Sequence, residues 1–112
     1  MIVELRTYAF EAGAMPAFLA AYRSGPDQLQ AAILGERVGY YSVETGDVNR
    51  LIHLWRYDSF EERQRRRAEL ARHPDWVAFL REALPLIKSQ ESTLLSEVAL
   101  PASNRATDRV RA

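Results

Sequence analysis

The 112-residue sequence contains no cysteine and only two histidines. Without cysteine, the chain has no disulfide framework, thiolate nucleophile or Cys-ligated zinc or iron–sulfur site. The histidines, His53 and His73, lie on different predicted elements and outside HxxxH or HxxE spacing, so we expect no metal site. The sequence also lacks GxGxxG, P-loop and GxSxG motifs, and we expect no organic cofactor.

No charge sign and no apolar run dominates the chain. Fifteen basic and fifteen acidic residues give a formal net charge of zero, which removes the general attraction that nucleic-acid binders use. No apolar run approaches the roughly 20 residues of a membrane span, and the N-terminus lacks the basic and apolar regions of a signal peptide. We expect a cytoplasmic protein that binds neither nucleic acid nor membranes.

The composition is that of one globular domain, with 47% hydrophobic and 27% charged residues. Residues 1–98 are predicted to form this domain. Residues 99–112 show no apolar periodicity, and we expect a disordered C-terminal tail there.

Alternating apolar and polar residues predict four strands. The first covers Ile2 to Phe10. Glu36 to Thr45 and Arg50 to Tyr57 flank Gly46-Asp47 and are predicted to form a β-hairpin, and Leu86 to Val98 supplies the last strand.

Helical signals fill the two gaps between these strands. Pro16 suits a first helical turn, and Gly25-Pro26 divides this helical region in two. Ser59 and Glu62 form a capping box at the start of the next helix, which His73-Pro74 divides in turn. The order β-α-β-β-α-β predicts an α+β, ferredoxin-like fold, a four-stranded antiparallel sheet with the helices on one face.

Such a sheet leaves its other face open, and the alternation places several polar and aromatic side chains on one face. The expected residues of the open face are Glu4, Arg6, Tyr8, His53, Trp55 and Tyr57. Exposing three aromatic residues of this set would be costly, so we expect a second copy to cover them. The predicted product is a homodimer whose two sheets face each other around a cavity.

Several segments together resemble the NIPSNAP family over roughly residues 1 to 95. They are Met1–Tyr8, Gly13-x-x-Pro16-x-Phe18, Val38-Gly39-Tyr40-Tyr41, His53-Leu54-Trp55-x-Tyr57-Asp58-Ser59, Arg63, Arg66-Arg67 and Pro74-x-Trp76. The resemblance implies a small bacterial single-domain member of the dimeric α–β barrels. That superfamily includes cofactor-independent monooxygenases, cyclases, decarboxylases and haem-degrading enzymes. His73 departs from the family pattern, in which the residue before this proline is typically acidic.

The candidate chemistry centres on His53, which shares a strand face with Trp55 and Tyr57. Imidazole suits proton transfer near neutral pH, so we predict His53 as acid/base. Arg6 and Tyr8 are predicted to stabilise an oxyanion. The predicted substrate-binding residues are Trp55, Tyr57, Glu4 and Glu91, of which Glu91 could pair with His53.

Structural interpretations compete with this site. His53, Glu4 and Arg6 could form a hydrogen-bonded dimer-interface cluster. The Arg63–Arg67 run is interpreted as a solvated, salt-bridged helix face from which Arg63 or Arg67 could reach the cavity rim. We assign structural roles to Tyr40 and Tyr41, of which at most one can line a cavity, and place Trp76 in the core.

These residues are compatible with two functions. The first is a small-molecule enzyme, of monooxygenase, cyclase or isomerase type, that acts on a planar oxygenated substrate without metal or organic cofactor. The alternative is a non-catalytic dimer that binds a ligand or another protein.

Overall fold

The computed structural model of the protein describes residues 1–101, and residues 102–112 of the predicted tail lie outside the described range. The strands are β1 (Ile2–Phe10), β2 (Glu36–Ser42), β3 (Arg50–Tyr57) and β4 (Ile87–Ser96). The helices are α1 (Met15–Arg23), α2 (Pro26–Leu34), α3 (Phe60–Arg72) and α4 (Pro74–Ala83), with a 3₁₀ turn at Leu84–Leu86 before β4.

The four strands form one antiparallel sheet in the order β2-β3-β1-β4. The two strands that follow helices, β2 and β4, take the edges, and β1 and β3 take the centre. Phe18 of α1 packs against Tyr8 and Phe10 of β1 and against Phe79 of α4, so the helices cover one face of the sheet. This confirms the predicted α+β, ferredoxin-like fold.

Local capping explains where α3 and α4 begin. Ser59 Oγ accepts a hydrogen bond from the backbone N–H of Glu62 at 3.1 Å, which confirms half of the predicted capping box. The Glu62 carboxylate accepts a hydrogen bond from the backbone N–H of Asp58, one residue before the cap, at 3.1 Å instead of from the N–H of Ser59. At α4 the Nδ1 atom of His73 accepts from the N–H of Asp75 at 3.2 Å. His73 therefore caps this helix although it departs from the family pattern.

The strand register places the charged and aromatic residues of β1 and β3 under the helices. Arg6 pairs with His53 and Glu4 with Trp55, so these four side chains share a face. Glu4, His53 and Trp55 are 0% exposed. The prediction that this face is open is wrong. Phe10 also belongs to this face. Aromatic rings, together with charged side chains that pair with one another, can fill a core as well as aliphatic side chains do.

The face left uncovered is the one that carries the small and aliphatic residues. Its central positions are Val3, Leu5, Thr7 and Ala9 of β1 with Ile52 and Leu54 of β3, all of which are partly exposed. Tyr41 pairs with Ile52 and Leu95 with Val3, and these two side chains are 53% and 41% exposed. We call this surface the outer face of the sheet.

Two further features of residues 1–101 are the length and apolar character of the helices and the grouping of side chains that could ligate a metal. No helix there has both the length and the apolar character needed to cross a membrane. Within the same residues, no group of three or more His, Cys, Asp or Glu side chains could hold a metal ion.

Candidate functional site

One buried carboxylate, that of Glu4, brings three arginines together. Its Oε2 atom accepts hydrogen bonds from Arg6 Nη1 at 3.0 Å and from Arg63 Nη2 at 2.8 Å. Arg67 Nη1 lies 3.4 Å from the other oxygen, Oε1. Arg63 and Arg67 lie one turn apart on α3, so this carboxylate ties the central strand β1 to that helix.

Two hydroxyl groups complete the surroundings of Glu4. Ser92 of β4 donates to Oε2 at 2.5 Å, and Tyr57 of β3 donates to Oε1 at 3.2 Å. Burial alone would raise the pKa of Glu4, but the hydrogen bonds and the arginine charges outweigh it and lower the pKa to about 2. Glu4 is therefore ionised at neutral pH. Three guanidinium groups against one carboxylate leave the cluster with an excess of two positive charges.

The proton of His53 can be placed from its contacts. The Trp55 indole N–H donates to His53 Nδ1 at 2.7 Å, and because an indole can only donate, the neutral imidazole carries its proton on Nε2. Burial, assisted by the charges of Arg6 and Arg67, lowers the pKa of His53 to about 3. The imidazole is therefore uncharged at neutral pH. Its Nε2 atom is buried and has no hydrogen-bond partner among the described residues.

Aromatic rings enclose His53. Its ring stacks on Tyr40, with centroids 4.4 Å apart and planes 11° apart, and meets Tyr8 edge-on at 4.8 Å. Burial raises the pKa of Tyr40 well above its usual value and that of Tyr22 to about 12. Both phenols are therefore protonated at neutral pH, and the Tyr22 hydroxyl donates to the side-chain oxygen of Gln30.

A cavity of about 260 Å³ lies between the helices and the covered face of the sheet. The strands contribute a mostly polar wall, formed by Arg6, Tyr8, Tyr40, Ile87 and Gln90. The helices and the turn after α4 contribute a mostly apolar wall, formed by Phe18, Tyr22, Gln30, Arg67, Leu70, Ala71, Trp76, Phe79, Leu80, Ala83 and Leu84. This volume is just below the roughly 300 Å³ at which typical small-molecule sites begin, and it suits a ligand of about one or two rings.

The residues expected to line a cavity between two facing sheets lie instead under the helices of their own chain, and the association of two sheets stays a prediction. The register puts the polar and aromatic residues under the helices of the same chain, and the helices supply the opposite wall. The walls of the cavity therefore come from one chain, and the cavity is partly open to solvent.

The structure brings six of the seven predicted site residues onto one face of the sheet. Arg6 and Tyr8 line the cavity, whereas Glu4, His53, Trp55 and Tyr57 are buried on that face without lining it. Glu91 is not among the six, because it pairs with Thr7 and projects from the outer face, where it is exposed. It therefore lies on the opposite side of the sheet from His53.

The arginine run of α3 is a solvated face only in part. That interpretation describes Arg65, which is 72% exposed, but not Arg63 and Arg67, whose side chains are 15% and 22% exposed and contact Glu4. The spacing of four residues between Arg63 and Arg67 is the sequence feature that places both side chains on the same face of the helix. Tyr40, assigned a structural role, and Trp76, correctly placed in the core, both also line the cavity.

Together, the sheet order and the cavity under the helices define the protein as a ferredoxin-like α+β domain with a partly open cavity between its helices and its sheet. The sequence model of the NIPSNAP family matches residues 3–101. The chain belongs to the NIPSNAP family.

Its relatives include longer eukaryotic proteins. The chain is 32% identical over 97 residues to a protein NipSnap homolog of Dictyostelium discoideum and 37% identical over 93 residues to protein NipSnap homolog 3A of Homo sapiens. The matches cover 87% and 81% of this chain but 43% and 37% of those proteins. The chain thus spans about two fifths of the length of the curated relatives it matches.

Similar solved structures are of the same size as this chain. A NIPSNAP family protein of Agrobacterium tumefaciens has a TM-score of 0.84 and 36% identity, covering 87% of this chain and 92% of that one. An uncharacterized NIPSNAP domain protein of Burkholderia xenovorans has a TM-score of 0.84 and 31% identity, covering 92% and 100%. An antibiotic biosynthesis monooxygenase shares the fold, with a TM-score of 0.63, 10% identity and coverage of 88% and 100%.

Proposed function

We propose that the cavity binds a small planar molecule with an enolic or phenolic oxygen, and that the protein converts it without metal or organic cofactor. The observation that carries this proposal is the combination of the two walls. Aromatic side chains from the helices, such as Trp76 and Phe79, suit a flat apolar ring. Arg6, Arg67 and the Tyr8 hydroxyl are the groups that would stabilise a negatively charged oxygen.

The excess positive charge around Glu4 would stabilise a negatively charged oxygen of the bound substrate. Arg6 and Arg67 lie in a partly buried site, where the effective dielectric is lower than in water and each cation acts more strongly on a nearby oxygen. They would lower the pKa of a bound enol or phenol and so favour its deprotonated form, with the proton passing to solvent water at the open side of the cavity. Monooxygenation by O2 and ring-closing isomerisation both begin with this proton loss, and the fold shared with an antibiotic biosynthesis monooxygenase is compatible with either.

The acid/base role of His53 stays a prediction, and its surroundings weigh against it. With its Nδ1 lone pair engaged by Trp55 and its pKa near 3, the imidazole is a poor proton acceptor at neutral pH. We therefore assign the stabilisation of the deprotonated substrate to the arginines. His53 supports the stacked ring of Tyr40, which lines the cavity.

We also propose that the protein is a homodimer that associates through the outer face of the sheet. Tyr41 and Leu95 are exposed beside the central apolar residues of this face, so a second copy would bury these apolar side chains, with polar residues such as Glu91 among them. A dimer of this kind with an unused cavity would be the alternative function, an interaction module without catalysis.

The ionisation of a bound phenol tests the main proposal. 4-Nitrophenol changes its visible absorbance when it loses its proton, so its apparent pKa can be measured with and without saturating protein. We expect the wild type to lower that pKa by at least about one unit, which corresponds to about 1.4 kcal/mol. Arg6→Gln should abolish the shift.

Arg56→Gln is the matched control, because Arg56 lies on β3, pairs with Glu36 and does not line the cavity. This variant should retain the wild-type shift. A wild-type protein that binds 4-nitrophenol without changing its pKa, or does not bind it, would contradict the proposal.

A further inference from the structure

We propose that the natural ligand of the cavity is an acid, one that carries a carboxylate in addition to its planar ring. This inference rests on the proposed function and narrows it, because a phenol or enol alone is neutral in water near pH 7. It is supported by the charge balance and the unpartnered donors of the Glu4 cluster, which consists of Glu4, Arg6, Arg63 and Arg67.

The cluster has no internal source of further negative charge. Among residues 1–101, Glu4 is the only acid within 4.0 Å of any of its three arginines. The cavity phenols of Tyr22 and Tyr40 do not supply the missing charge, since burial keeps both protonated at neutral pH. Two guanidinium charges thus lack a counterion from the described part of the chain.

The hydrogen bonds that Glu4 accepts are concentrated on one of its two oxygens. Its Oε2 atom already accepts from Arg6, Arg63 and Ser92, and its Oε1 atom accepts from Tyr57. Arg67 Nη1 faces Oε1 across 3.4 Å, which is an ion pair but too long for a strong hydrogen bond, so Glu4 holds Arg67 less firmly than it holds the other two arginines.

Each arginine of the cluster keeps a buried donor without an acceptor. These atoms are Arg6 Nε, Arg63 Nε and Arg67 Nη1. A buried donor left without a partner costs about 1–3 kcal/mol, more when it is charged. Arg6 and Arg67 line the cavity and Arg63 does not, so an acceptor bound in the cavity could reach the donors of Arg6 and Arg67.

The cavity is where that acceptor would enter, because Arg6 and Arg67 both line it. Gln90 lines it as well, and its side-chain oxygen accepts from Arg6 Nη2 at 3.2 Å, which leaves its amide N–H groups free to donate. A carboxylate offers two acceptor oxygens in one plane and matches guanidinium donors in charge and geometry. The uncharged amide of the same acid has the same shape but lacks the charge.

Acids and their amides therefore test the inference directly. Calorimetric titrations at 0.15 M NaCl would compare 4-hydroxybenzoate with 4-hydroxybenzamide, and 6-hydroxy-2-naphthoate with its primary amide. In the wild type we expect at least one of the two acids to bind at least tenfold more tightly than its amide. Arg67→Gln should remove most of that preference. Arg65→Gln, a variant of an exposed arginine on the same helix, should keep it.

Each other outcome has a defined meaning. If amides bind as tightly as acids, the cavity is a ligand site but the inference about the acid is overturned. The same holds if 4-nitrophenol binds and neither acid does, or if Arg65→Gln loses the preference as fully as Arg67→Gln. If neither the acids nor 4-nitrophenol bind, the proposed function falls as well. The comparison of acid and amide in the wild type stands even if Arg67→Gln fails to fold.

Discussion

The indole N–H of Trp55 donates to Nδ1 of His53 across 2.7 Å, between two residues on the same face of strand β3. This one hydrogen bond determines which nitrogen of the imidazole holds the proton. It also engages the Nδ1 lone pair, which the imidazole would need in order to act as a general base. The most conspicuous candidate for acid/base chemistry in the sequence is therefore held by its neighbour in a form that donates rather than accepts.

The tautomer of His53 can be observed by NMR. Long-range ¹H–¹⁵N correlation spectra of the imidazole should show His53 protonated on Nε2, neutral at pH 7 and still neutral at pH 5. Trp55→Phe removes the donor to Nδ1 and should both release this tautomer and destabilise the fold by about 1–3 kcal/mol, the usual cost of an unpartnered buried group. A charged His53 at pH 5 in the wild type would contradict this assignment.

The low pKa of His53 also predicts how stability depends on pH. As the pH falls below 6.5, the unfolded chain protonates this imidazole and the folded chain does not, until the pH approaches about 3. Stability should therefore decrease on acidification by about 1.4 kcal/mol per pH unit over this window. Glu4, with its pKa lowered from 4.5 to about 2, adds a further loss only below about pH 4.5.

Urea unfolding between pH 7 and pH 5 separates the contribution of His53 to the free energy of unfolding from that of Glu4. His53→Gln should flatten the slope in this range, whatever its effect on stability at pH 7. The control Ser24→Ala changes an exposed group that does not titrate and should leave the slope in place. An unchanged slope in His53→Gln would show that another group titrates.

Glu4→Gln tests the importance of the buried carboxylate. Removing its charge leaves three arginines without a counterion, and breaking a buried ion pair in this way typically costs about 3–5 kcal/mol. Glu97→Gln removes a 45%-exposed partner of Arg56 and should cost less than about 1 kcal/mol. Equal effects of the two substitutions in chemical denaturation would refute a special role for Glu4.

The proposed dimer depends on the outer face of the sheet. Leu54→Glu places a charge at the centre of this face and should convert a dimer into a monomer with an unchanged circular dichroism spectrum. Leu100→Glu, at a position that is 79% exposed and outside the strands, should remain dimeric. Light scattering after size exclusion measures both masses. A monomeric wild type, or a dimeric Leu54→Glu, would rule out this interface.

Most of the fold could be predicted because local signals agree with one another. Proline at the first turn of a helix and the capping box at Ser59 each mark a helix start by a known mechanism, and the observed helices begin within a residue of these marks. Alternation likewise identified all four strands. These features depend on neighbours in sequence, and the sequence contains them fully.

The faces of the sheet were harder to assign. Alternation divides the residues of a strand between two faces but does not show which face the helices cover. One of the two faces carries both charged residues and aromatic rings, so its composition alone does not decide whether it is buried. Only tertiary contacts resolve this, because Glu4 becomes acceptable in a core once Arg63 and Arg67 reach it from α3. For the same reason Glu91 could not be assigned to a face before the register of β4 was known.

The two tryptophans provide the most direct test of the cavity as the ligand site. Trp76 lines it, whereas Trp55 is fully buried beside His53 and does not. Their indole N–H signals can be resolved by NMR and assigned with Trp76→Phe. On titration with 4-nitrophenol, we expect a saturable shift of the Trp76 signal that clearly exceeds that of Trp55. A titration that leaves the Trp76 signal in place would contradict the assignment of this cavity as the ligand site.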